Sequence, residues 1–179
     1  MTTVGSLVVG LGSPDRGDDA VGPAVALAVA DLDLPRVTVV EHEDPTALLD
    51  LWSGHDLVVL VDAVSSGRPA GTIHQLETDP GSGPLSETAW SGVGRGGTHA
   101  FGVAAAVELA RALHRLPARL VVVGVEAAGF EVGTDLSDPV AAAVAPAVAR
   151  VLSVLTGTPG TGADRRSQEV VPGVPGDAG

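Results

Sequence analysis

Apolar positions along the chain switch between two periods. Short runs rich in Val, Leu and Ile, read as buried strands, run from Ser6 to Gly10, Arg36 to Glu41, Leu57 to Val61, Thr72 to Leu76 and Leu120 to Val125. Between them lie Ala-rich stretches of helical spacing, from Asp19 to Ala30, Pro45 to Trp52, His99 to Leu113 and Pro139 to Leu155. In the third of these Phe101, Ala104, Leu109 and Leu113 recur at near-helical spacing and define the predicted core-facing stripe. Strands alternating with helices predict an α/β fold: a three-layer, mainly parallel twisted sheet of about five strands, flanked by helices on both faces.

One connection departs from the pattern. The strand containing Ile73 follows the one ending at Val61 after only about ten residues, two of them glycine, which is short for a helical crossover. It is therefore expected to run antiparallel. From Gly157 onward the apolar period gives way to Gly, Pro, Ser and charged residues. The expected organisation is one domain over residues 1–156 and a disordered Gly/Pro-rich tail over 157–179.

Composition removes whole classes of chemistry. The 179 residues include no cysteine, so disulfides, thiolate metal sites and a Cys nucleophile are excluded. All ten basic residues are arginine, which excludes a phosphate-loop lysine, Schiff-base chemistry and a Ser-Lys dyad. A net charge of -12 disfavours nucleic acid and anionic lipid and favours cationic partners, metal ions included. The first ten residues carry no basic, apolar leader pattern, so cytoplasmic residence is the expectation. The longest apolar run, Val140 to Leu155, is interrupted by Pro146 and Arg150 and falls short of the roughly 20 residues that cross a bilayer.

In an open α/β sheet, ligands bind beyond the carboxyl ends of the strands. Three polar segments are predicted there: the Gly-rich loop Gly10 to Asp19 with its Asp18-Asp19 pair, Asp62 after the apolar run 57–61, and Gly96-Gly97-Thr98-His99 opening the third helix. Each admits a purely structural reading. Asp18 can cap a helix, with Asp19 a first-turn acid; Asp62 can tie down a turn; His99 can follow a Thr98 cap at the surface. Together, however, Asp19, Asp62 and His99 bring two carboxylates and an imidazole to one sheet edge, a donor set suited to an open site for nickel or zinc. Asp18 is either an orienting group behind the ligands or only a cap. His42, His55, His74 and His114 read as surface residues, with His42 a weak candidate for supporting the ligands.

Two rivals fare worse. The third glycine of a dinucleotide fingerprint is replaced by Asp15, whose charge would face the pyrophosphate. A receiver-like signalling domain shares the acid pair and the third-strand Asp but depends on a lysine that this chain lacks.

The ordered set Gly10-Leu11-Gly12 through Asp18-Asp19-Ala20-Val21-Gly22, Val61-Asp62-Ala63-Val64-Ser65-Ser66-Gly67 leading to Gly71-Thr72-Ile73, Thr98-His99-Ala100-Phe101-Gly102, and Gly124-Val125-Glu126 followed by Leu136-Ser137-Asp138-Pro139-Val140 resembles the hydrogenase maturation proteases. These endopeptidases trim the C-terminal extension of the nickel-iron hydrogenase large subunit. The resemblance spans roughly residues 5–155. It implies Asp19, Asp62 and His99 as catalytic and metal-binding residues, with nickel delivered by the precursor and zinc or cadmium able to substitute in vitro. It also implies a monomer whose partner is the large-subunit precursor; the acidic charge adds the expectation of no nucleic-acid and no membrane partner. A non-catalytic nickel-binding chaperone or checkpoint using the same ligands is the alternative. Two departures stand out: Ser13 occupies a position where the family usually has Asn, and Glu43-Asp44-Pro45-Thr46 replaces a Gly-Gly-Thr stretch.

Overall fold

The computed structural model describes residues 5–85 and 98–157, with only the backbone described for 98–101. Five strands, β1 (Ser6–Leu11), β2 (Val37–His42), β3 (Leu57–Val64), β4 (Ile73–Thr78) and β5 (Arg119–Glu126), form one sheet in the order β2-β1-β3-β5-β4. All neighbours are parallel except β4, which pairs antiparallel with β5, as its short connection predicts. Among the described residues the helices are α1 (Val21–Ala30), α2 (Leu48–Leu51), α3 (Thr98–Ala112) and α4 (Asp138–Thr156).

Strand alternation sorts the core into two layers. Leu7, Val9, Val58, Leu60, Leu120 and Val122 face α2 and α3, where Trp52, Val103, Val107 and Ala110 cover them. Val8, Val59, Val61, Val121 and Val123 face α1 and α4, against Val25, Val29, Ala147 and Val151. Each fully buried Val or Leu contributes about 1.5–3 kcal/mol of apolar transfer, so both layers are needed to hold the sheet.

The elements differ from the predicted ones mostly at their ends. A 3-10 turn, Gly17–Ala20, precedes α1, and the expected helix from Pro45 to Trp52 divides into a 3-10 turn, Pro45–Ala47, and the single turn α2. Asp44 enforces that first turn, because its Oδ1 accepts from Thr46 N at 2.8 Å while Pro45 presets the backbone.

The stripe on the third helix is corrected. Val103, Ala106, Val107 and Ala110 face the sheet, whereas Leu109 and Leu113 are each 51% exposed. Small side chains let α3 sit close on a sheet already supplied with leucines; the larger pair is turned outward. Phe101's side chain lies outside the described residues.

By length and apolarity α4 would suffice to span a membrane. In this fold its Val140, Ala143, Ala147, Val151 and Val154 lie in the core layer shared with α1. The expected tail begins at Gly157, an αL cap that ends α4, and the rest of it lies outside the described residues.

Candidate active site

The strand order reverses at β1 and β3: β1 leads through α1 to β2 on one side, while β3 lies on the other. The crevice at the carboxyl ends of these two strands is the switch point where such sheets bind ligands. Close packing brings the start of α1 there. A side chain on Gly22 would meet the carbonyl of Leu11 and lie 2.7 Å from that of Val61, and one on Gly10 would lie 2.7 Å from Ala26 Cβ. Only glycines allow the helix to sit directly over both strands, which sets the preceding turn against β3.

Asp19 closes that turn. It is 5% exposed, and its Oδ2 accepts from Ser13 N at 2.9 Å. Gly12, at φ 130°, packs under it, in a conformation and a space that a Cβ would not share. Ser13 therefore serves Asp19 through its backbone N–H, a bond that does not depend on the side chain at this position.

Asp62 is 2% exposed and lies inside β3 rather than after it, because pairing with β5 continues to Val64. Val61 is level with Gly10, so Asp62 is level with Leu11 at the end of β1. Its parity is that of Val58 and Leu60, which places it on the α3 side of the sheet.

His99 falls in the first turn of α3, one turn before Val103. A Cβ on Gly102 would lie 2.8 Å from Pro45 Cγ, so the start of α3 adjoins the segment that follows β2, at the same sheet edge as the two carboxylates. The side chain of His99 lies outside the described residues. Among the described residues no three metal-ligating side chains converge.

Asp18 stands in the first turn of the 3-10 segment but does not cap it. No side chain caps the 3-10 turn or α1. Instead its carboxylate, 1% exposed, accepts from Ala128 N (2.6 Å), Gly129 N (3.2 Å), Ser137 N (2.7 Å) and Ser137 Oγ (2.9 Å). Backbone bonds Asp18 N to Gly129 O, Gly17 N to Thr134 O and Gly133 N to Asp15 O complete a seam between the loops after β1 and β5.

The histidines also divide. His114 is exposed, as expected, and the half-buried His42 uses Nδ1 to accept from Asp44 N at 3.0 Å. His55 is half-buried rather than at the surface. His74 overturns the surface reading outright: its Nε2 lies 3.1 Å from Glu126 Oε2, a residue 1% exposed at the end of β5. Glu126 also accepts from Ser66 N (2.6 Å), Gly67 N (2.9 Å) and Ser66 Oγ (2.7 Å). Burial works against its charge, but the bonds from Ser66, His74 and Gly67 outweigh burial and hold the carboxyl below its ordinary pKa. Sequence reasoning missed this pair because its members are 52 residues apart and meet only through the antiparallel β4–β5 register.

The family model for hydrogenase maturation proteases matches residues 37–154, well over half of the chain. The chain belongs to this family and is an endopeptidase of the hydrogenase maturation class. Solved structures show the same fold. The hydrogenase maturating endopeptidase HybD from E. coli superposes with a TM-score of 0.69 at 22% identity, covering 87% of this chain and 94% of that one. A solution structure of an endopeptidase from Escherichia coli gives 0.73 at 24%, again over 87% and 94%. The [NiFe] hydrogenase maturation protease HybD from Thermococcus kodakarensis gives 0.65 at 22%, over 84% and 99%. No protein of curated function matches the sequence.

Proposed function

We propose that this endopeptidase acts in the cytoplasm as a monomer, removing the C-terminal extension of a nickel-iron hydrogenase large-subunit precursor after nickel has been inserted. Asp19, Asp62 and His99 read the metal in the precursor. The observation that carries this reading is the placement of two buried carboxylates, Asp19 in the turn that follows β1 and Asp62 near the carboxyl end of the adjoining β3, at the switch point of a family endopeptidase. Carboxylate oxygens and an imidazole nitrogen suit a borderline divalent ion such as nickel.

The metal arrives as part of the substrate. Exchangeable positions on it are taken by Asp19, Asp62 and His99, and this engagement docks the scissile bond beside the site, so an unloaded precursor is not positioned for cleavage. Asp18 does not touch the substrate; its four hydrogen bonds hold the turn that presents Asp19.

The test is incubation of nickel-loaded and nickel-free precursor with the purified protein, followed by mass spectrometry of the precursor. Wild type should shorten only the loaded form. Asp19→Asn, Asp62→Asn and His99→Gln should fold and leave it intact. Trimming by all three at the wild-type rate would refute the ligand assignment. A wild-type protein that binds the loaded precursor and never cuts it would instead be a chaperone.

A further inference from the structure

His74 and Glu126 take no part in the metal recognition proposed above, yet they are built as a functional pair. The acceptor capacity of Glu126 is committed to Ser66 N, Ser66 Oγ, Gly67 N and the His74 ring. A carboxylate held in its charged form accepts from Nε2, so that in the neutral ring the proton sits on Nε2 and the lone pair is left on Nδ1. A fixed tautomer beside an ionised carboxylate is the arrangement by which an imidazole is prepared for general acid-base work.

The pair also lies in the right place. Because β4 runs antiparallel, its first residues stand at the carboxyl edge of the parallel strands. The register sets Asp62, Gly124 and His74 in one row across β3, β5 and β4. Asp62 shares the parity of Leu60, and His74 that of Leu76, so both lie on the α3 side of the sheet. Two strand spacings separate their Cα atoms by about 10 Å. Gly124 contributes no side chain between them. That span accommodates a peptide group approached from one side by the metal-reading carboxylate and from the other by the imidazole.

We propose that His74, oriented by Glu126, is the general acid-base residue of the cleavage, an inference that rests on the peptidase reading above. As the oxygen of a water bonds to the scissile carbonyl carbon, Nδ1 takes a proton from that water. The carbon-nitrogen bond then breaks and the proton passes from the ring to the departing nitrogen. The ring ends neutral, and the products are a new carboxyl terminus and a free amine. Glu126 touches no reacting atom and is a positioning residue.

Single-turnover cleavage of a nickel-loaded large-subunit precursor by the full chain tests this. His74→Gln retains an N–H for Glu126 and should fold and bind the precursor as wild type does, while cutting it about a hundredfold more slowly. His74→Ala should be similarly slow and be accelerated by free imidazole, whereas wild type with imidazole should not, a control that also reports any stripping of nickel. Glu126→Gln should lower the rate with no change in precursor affinity. Wild-type rates in His74→Gln would overturn the proposal, as would a loss in His74→Ala that imidazole leaves untouched and that tracks weakened precursor binding. If the wild-type protein binds the precursor without cutting it, the peptidase reading falls first and takes this proposal with it.

Discussion

Asp18 and Ser137, 119 residues apart, are joined twice: the backbone N–H and the hydroxyl of Ser137 both donate to the Asp18 carboxylate, at 2.7 and 2.9 Å. The loop that carries Asp19 is thereby fastened to the start of α4, on the far side of the sequence. The acid pair is divided in labour: Asp18 fastens distant segments together, while Asp19 accepts from Ser13 N within its own loop.

Asp18→Asn would set an amide among donors and leave buried N–H groups short of an acceptor. It is expected to cost about 1–3 kcal/mol of stability, against about 1 kcal/mol for Ser137→Ala, which loses a single hydroxyl bond. The double variant should cost less than the sum, since both act on one network. Urea unfolding of the four proteins measures this.

Gly12→Ala brings a Cβ into the carbonyl of Asp19 and within 3.3 Å of its Cγ, at a backbone φ of 130° that alanine resists. It should destabilise by about 1–3 kcal/mol and slow precursor cleavage by about 100-fold through displacement of Asp19. Gly54→Ala is the control: its φ is also positive, at 81°, but nothing lies within 4 Å of the added carbon. It should cost about 1 kcal/mol and leave the cleavage rate unchanged.

The depressed pKa of Glu126 makes a statement about acid stability. Its folded value lies below its unfolded one, so its contribution is fully present above the unfolded pKa and is lost as pH falls through the folded value. Thermal unfolding followed downward from neutral pH should show wild type losing stability through the acid range. Glu126→Gln should be less stable at neutral pH and show a shallower acid decline. An equal decline in both proteins would mean that other carboxylates set the acid limit.

The sheet was legible because it is written in local terms. Runs such as Leu57 to Val61 are too apolar and too short for anything but buried strands, and the ten residues before Ile73 leave no room for a crossover helix. The same pattern draws attention to Asp19 and Asp62 as acids beside apolar runs, but it ends the third strand at Val61, whereas pairing with β5 carries it past Asp62 to Val64. The α3 stripe misled because leucine spacing says which residues are apolar and not how closely the helix must approach; Val103, Ala106, Val107 and Ala110 fit where Leu109 and Leu113 would not. The partners of Asp18 and Glu126 were beyond reach for another reason. Apart from the His74 ring on Glu126, their bonds run to backbone N–H groups and one serine hydroxyl each, groups common to many loops, and only the assembled topology selects which ones.

Two buried carboxylates stitch three surface segments into one rim: Asp18 takes up the loop after β5, and Glu126, at the head of that loop, takes up the turn after β3. A change of backbone course in any one of these stretches would withdraw donors from a buried acid. Residues 13–19, 65–72 and 126–137 therefore behave as a single mechanical unit, in which a change to one stretch is felt by the other two.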